Sequence, residues 1–174
     1  MLQVWMTAAV LALTTSGAAF QAADPGVAGI KSTHDLVKGN ILKAAAQVPD
    51  DMYAFKPTPD VRSMGALFAH IADANFMICA AASGEKPSMS GSVEKEKTAK
   101  KDIIAALEAS FTFCESAFSG LTAARANETV KFFVPGTYTR LGILAFNSAH
   151  DFEHYGNVVT YMRLKGLVPP SSAR

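Results

Sequence analysis

The apolar residues between Thr98 and Leu121 recur at intervals of three and four. Ile103, Ile104, Leu107, Phe111, Cys114, Phe118 and Leu121 therefore fall on one face of a helix. Three further stretches read the same way. Val27–Val48 carries Ile30, Val37, Ile41, Ala44, Ala45 and Val48 at helical spacing and stops at Pro49. Ser63 is placed to N-cap a helix that runs to about Ala82, with Met64, Leu67, Phe68, Ile71, Ala74 and Ile78 facing inward. Thr139 is placed to cap a last helix ending near Lys165, where Gly166 and Pro169-Pro170 bar continuation. Alternation with period two is nearly absent. A helix of this kind must bury its stripe against other helices, so the expected fold is all-α, a four-helix bundle with long connections spanning residues 27–168.

Those connections are Asp50–Asp60, Ser83–Glu96 and Ala123–Tyr138. In the last, Val130–Val134 reads as a short extended piece closed by a turn at Pro135-Gly136. With 174 residues, 49% of them hydrophobic, the chain suffices for one domain with a proper core. A formal net charge of +1 and the lack of any basic run argue against nucleic acid as a partner. Phosphate loops, nucleophile elbows and zinc ribbons are absent, and Asn127-Glu-Thr129 is a glycosylation tripeptide common enough to carry no weight.

Met1–Ala23 contains no charged residue. Its apolar run, Trp5–Leu13, is followed by small residues at Ser16–Ala19. Residues 1–19 therefore read as a signal peptide, although the usual basic residue at the start is missing. The apolar run falls short of the ~20 residues a bilayer requires, and no other segment reads as a stable membrane span. The expected location is periplasmic or secreted.

An exported protein can hold a disulfide. If the second and third helices are antiparallel neighbours, Cys79 lies about one turn from the loop joining them and Cys114 about four. The two would be well over ~10 Å apart, beyond the ~7 Å that a bridge allows between Cα atoms. Both cysteines are thus expected to be buried free thiols.

The strongest functional signal is in the histidines. Only four occur. His150 and His154 stand one turn apart on the last helix, about 40° apart around its axis. Asn147, Asn157 and Tyr161 share their direction, so an otherwise apolar helix carries one polar stripe. Two imidazoles so placed can chelate a divalent metal, and His70 on a facing helix would complete a three-nitrogen site. Asn147, Asn157 and Tyr161 would line the pocket, with the Tyr161 hydroxyl free to donate to a substrate. Each has a plainer reading: histidines four apart occur on many exposed helices, and a lone His70 would be an ordinary core histidine. His34 can be read as a ligand, as a donor behind the ligands or as an ordinary half-buried residue, and the last is the reading adopted. Asp73 and Glu153 stand as carboxylates behind the ligands or as surface charge.

Two segments extend this reading. Lys56-Pro-Thr-Pro-Asp-Val-Arg-Ser-Met-Gly-Ala-Leu-Phe-Ala-His-Ile-Ala-Asp-Ala-Asn75 and His150-Asp-Phe-Glu-His-Tyr-Gly-Asn157 resemble the DinB-like superfamily of four-helix-bundle metalloproteins. The resemblance spans roughly Ile30 to Val168, and Tyr155 and Asn157 depart from the family's usual ending. It implies a divalent metal (Zn, Ni, Fe or Mn) held by His70, His150 and His154, with water in the remaining positions. It also implies either a thiol-dependent S-transferase, with a low-molecular-weight thiol as partner, or a protein of no known activity. Export argues against such thiols and leaves a metal-dependent hydrolase of small substrates open, and a non-catalytic metal-binding or stress-related protein would use the same site. A plain helical interaction module is the remaining alternative. A homodimer is compatible with the bundle class, but no residue fixes an interface.

Overall fold

In the computed structural model, residues 24–87 and 89–173 are described; the segment read as a signal peptide lies outside them. The chain forms α1 (Pro25–Gln47), α2 (Met64–Ser83), α3 (Val93–Glu96), α4 (Lys100–Ser119), α5 (Ala123–Ala126), β1 (Thr129–Val130), β2 (Tyr138–Thr139) and α6 (Arg140–Leu164). The four long helices are those expected from the apolar spacing, and the fold is a mostly helical bundle. Its helix ends follow local chemistry. Asp24, Ser63 and Thr139 accept from the free N–H groups that open α1, α2 and α6. Gly84 closes α2 at φ +81°, a left-handed conformation that glycine adopts without strain. The extended piece expected at Val130–Val134 is shorter than read: only Val130 joins the ladder, opposite Tyr138.

Contacts along the helices fix their directions. Lys38 pairs with Glu115, and Lys100 Nζ donates to the carbonyls of Ala46 (3.1 Å) and Val48 (2.8 Å), so α1 and α4 are antiparallel. Asn75 meets Asn147, and Arg140 donates to the Ala82 carbonyl, so α2 and α6 are antiparallel as well. By contrast α2 and α4 run parallel: Asn75 faces Ser110, and Cys79 faces Cys114. The order is up, down, down, up.

This overturns the expectation of two free thiols. Cys79 and Cys114 form a disulfide, with Cα atoms 5.2 Å apart. The stretch between α2 and α4 is no simple reversal. It travels back along α2 before α4 starts, so both cysteines come to the same end of the bundle. The bridge is fully buried, beside Ile78, Ala82, Phe118, Ile143 and Leu144.

A second adjustment concerns α2. By length and composition Met64–Ser83 suffices to cross a membrane, contrary to the sequence reading that nothing beyond the N-terminus does. Its residues are instead mostly buried against the other helices, with Phe68, Ile71 and Ala72 fully enclosed. A helix that is apolar nearly all round is what the middle of a bundle requires.

The connection before α2 is pinned tightly. Tyr53 donates to the Ala45 carbonyl at 2.8 Å, and Gly65 packs on Tyr53 so closely that a Cβ there would lie 2.8 Å from the ring. This holds Lys56–Arg62 over the same end of the bundle as the histidines of α2 and α6.

The disulfide closes 35 residues of separation. Cys79→Ala/Cys114→Ala is expected to lose about 3–4 kcal/mol on a chain-entropy account, measured by urea unfolding. The wild-type protein, denatured without reductant, should show no thiol reactive to Ellman's reagent; two reactive thiols would exclude the bridge.

Candidate metal centre

His70 lies on α2, and His150 and His154 on α6, where the two helices cross. Their ring centroids are 5.4 Å (His70–His150), 4.7 Å (His70–His154) and 4.4 Å (His150–His154) apart. One ring nitrogen from each can be chosen so that all lie within 4.8 Å of one another. The Nε2 atoms of His150 and His154 are 3.1 Å apart. Two nitrogens bound to one ion at ~2.1 Å, with angles between a right angle and the tetrahedral angle, lie roughly 3.0–3.4 Å apart. The spacing fits a shared ion. The Nδ1 atoms of both residues are buried without a hydrogen-bond partner among the described residues, so nothing else in the fold competes for the rings.

All three imidazoles are held neutral, the state that binds metal. Burial lowers the pKa of His150 to about 4, helped by the neighbouring His154. His70 and His154 are lowered too, chiefly by burial. The Arg62 guanidinium pushes all three in the same direction, which places its charge close to the whole cluster.

His70 is further tied by a carboxylate. Glu94 Oε2 lies 3.3 Å from His70 Nδ1, and Glu94 Oε1 accepts from Arg62 Nε at 2.8 Å. A carboxylate on Nδ1 fixes the tautomer and leaves Nε2 as the ligand atom. Glu94 is delivered by α3, which is anchored from α2. The Asp73 carboxylate accepts from Ser92 Oγ (2.7 Å) and from the N–H groups of Val93 (2.7 Å) and Glu94 (3.1 Å). Asp73 is thus one step removed from the place considered for it: it holds the segment that carries the carboxylate. Glu153 is exposed on α6.

Beside the histidines opens a cleft of about 600 Å³, lined among others by Lys56, Arg62, Glu94, His154, Asn157 and Tyr161. Asn157 and Tyr161 line that cleft. Tyr161 differs in detail, because its hydroxyl already donates to the Arg62 carbonyl at 3.2 Å. Asn147 does not line the cleft. It lies deeper, donating to Asn75 Oδ1 (2.9 Å) and Asp151 Oδ2 (3.2 Å). Asn75 in turn donates to Ser110, so a buried polar chain crosses from α6 through α2 to α4. Burial pushes the Asp151 carboxyl well above the usual carboxylate range.

Sequence reasoning missed Arg62 and Glu94. Arg62 stood inside the quoted Lys56–Asn75 segment, so a signal was present. Glu94 sat in a charge-rich loop where nothing distinguished it from its neighbours. His34 also differs from expectation. It is fully buried, not half-buried, against Phe111 and Phe118, with neither ring nitrogen partnered. Burial lowers its pKa to about 4.

Comparison with known proteins agrees with the helical fold. The DinB superfamily model matches residues 34–158. Among solved structures, a DinB-like protein from Bacillus cereus superposes with a TM-score of 0.71 at 19% identity, over 82% of this chain and 95% of that one. A DinB-like protein from Bacillus subtilis gives 0.66 at 18% identity, over 84% and 99%. A conserved protein from Enterococcus faecalis gives 0.64 at 16% identity, over 79% and 95%. None of the curated proteins matches the sequence.

The depressed histidines set a pH dependence. Between about 4 and the ordinary value of 6.5, the unfolded chain binds protons on His34 and His150 that the folded chain does not. Their destabilising effect is therefore absent above pH 6.5 and grows as pH falls towards 4. Urea unfolding of the metal-free protein should show stability declining across that window. His34→Leu should flatten the decline; an unchanged slope would remove His34 as a contributor.

Proposed function

The chain belongs to the DinB superfamily, and from that premise we propose that it is an exported metalloprotein that binds one divalent transition metal through His70, His150 and His154 and acts on small substrates by transfer or hydrolysis. One observation carries the reading: three neutral imidazoles converge beside a solvent-reaching cleft, so an ion held by them keeps positions open to a ligand. A closed structural site would have a fourth protein ligand and no cleft.

A divalent ion in such a site supplies Lewis acidity and lowers the pKa of bound water. The chain's own residues do the rest. Glu94 keeps the proton on His70 Nδ1, and Arg62 fixes Glu94 through Nε. The Tyr161 hydroxyl stays protonated, because burial raises its pKa, and its donation to the Arg62 carbonyl steadies the cleft wall. Asn157, exposed in the cleft, offers an amide to a substrate.

The uncharged Met1–Ala23 segment supports export, and the Cys79–Cys114 bridge suits an oxidising compartment. Low-molecular-weight thiols are scarce there, which favours hydrolysis over thiol transfer.

Elemental analysis of the mature protein, purified without a histidine tag, should find about one transition metal per chain. His150→Ala/His154→Ala should lose it while keeping its helical circular dichroism; metal content equal to wild type would overturn the site. Glu94→Gln should weaken metal affinity about 10–100-fold, read by competition with a chromophoric chelator. Unchanged affinity would show that Glu94 does not orient His70.

A further inference from the structure

Arg62 does more at this site than brace Glu94. Its guanidinium carries five N–H donors in a planar fork, and Glu94 takes only the Nε edge. The two terminal nitrogens have no hydrogen-bond partner among the described residues, although Arg62 lines the same cleft as His154. A guanidinium held by one edge is oriented, and its free edge is the one suited to grip two oxygens of a carboxylate or phosphate at once.

The charge balance points the same way. Lys56 and Arg62 are offset in the cleft lining by Asp60 and Glu94. Both Glu94 oxygens are engaged, one by Arg62 and the other by His70, while Asp60, Lys56 and Arg62 are all exposed, so water screens both signs at the rim. With a divalent ion bound, the cleft carries net positive charge beside an oriented fork. Lys56 adds a second cation; its only polar contact among the described residues is a 3.5 Å approach to the Pro59 carbonyl.

We propose that the substrate is a small oxyanion, carrying a carboxylate or phosphate group that docks on the free edge of Arg62 while its reactive end reaches the metal at the three histidines. This deepens the metalloprotein reading and rests on it. Charge-assisted hydrogen bonds contribute about 1.5–3 kcal/mol, so the anionic group should tighten binding by roughly 10–100-fold.

The test uses cobalt-loaded full-length mature protein and three probes with the same metal-binding head: neutral acetohydroxamate, the monohydroxamate of succinate, and phosphonoacetohydroxamate. Binding is read from the visible cobalt spectrum. At least one anionic probe should bind about 10-fold or more tighter than the neutral one, and which of them does so tells carboxylate from phosphate. In Arg62→Gln that advantage should vanish, while acetohydroxamate still binds. Equal affinity for all three probes overturns the oxyanion site and leaves the metal centre standing. An advantage that survives in Arg62→Gln also overturns it, because the anion would then be held elsewhere. Failure of the wild-type protein to take up cobalt removes the metal centre and this inference together. Should Arg62→Gln fail to take up cobalt, Arg62→Lys, which keeps the charge but loses the fork, replaces it and should lose most of the advantage.

Discussion

The parallel packing of α2 on α4 is the constraint on which the site depends. Two consecutive parallel helices cannot be joined by a tight turn. The chain has to return the length of α2 before α4 can begin, and it does so across the face that carries His70. That return passes Asp73, whose carboxylate collects three donors from Ser92–Glu94 and so seeds α3. Once α3 is seated, Glu94 arrives beside His70. The Cys79–Cys114 bridge locks the same helix pair at its far end. The disulfide therefore contributes to the histidine cluster at a distance, by fixing the helix direction that makes the return necessary.

Along α6 the polar residues change role with depth. Asn147 and Asp151 lie fully within the bundle, where the Asn147 amide donates to Asn75 and to Asp151 while Asn147 Oδ1 and Asp151 Oδ1 are left without a partner among the described residues. His150 and His154 come next, at the level where α2 presents His70, and their buried Nδ1 atoms lack partners. Asn157 and Tyr161 follow at the cleft. Buried polar groups without partners are costly in an apolar interior. Among the described residues that cost is spread over His34, Asn147, Asp151 and the Nδ1 atoms of His150 and His154.

Much of this was legible in the sequence. Apolar spacing located the four long helices, and Ser63 and Thr139 marked two of their starts, because both signals are local and depend on neighbours within one or two turns. The histidine cluster was legible because His150 and His154 share a helix face and His70 sits in a segment of recognisable pattern. The direction of α4 was not, since apolar period says which face is buried but nothing about which way the helix points. The misjudged cysteines follow from that single gap. Glu94 was invisible for a related reason: its role exists only after the return stretch has been placed, and a carboxylate in a charged loop looks the same whether it faces water or an imidazole. Asn147 was read into the pocket because it shares the histidines' direction around the axis. Its distance along the axis decided otherwise.

His150 and His154 also carry a proton-placement conflict that packing does not relieve. Two neutral imidazoles with Nε2 atoms 3.1 Å apart can share at most one proton between those atoms. If one Nε2 carries the proton, the other accepts it, and the donor's own Nδ1 is left as a buried acceptor with nothing to accept. The accepting ring then has its proton on Nδ1, where no acceptor is found either. No tautomer satisfies both rings from within the described residues. An ion held by the two Nε2 atoms would remove the conflict at that edge, with a proton left on each Nδ1.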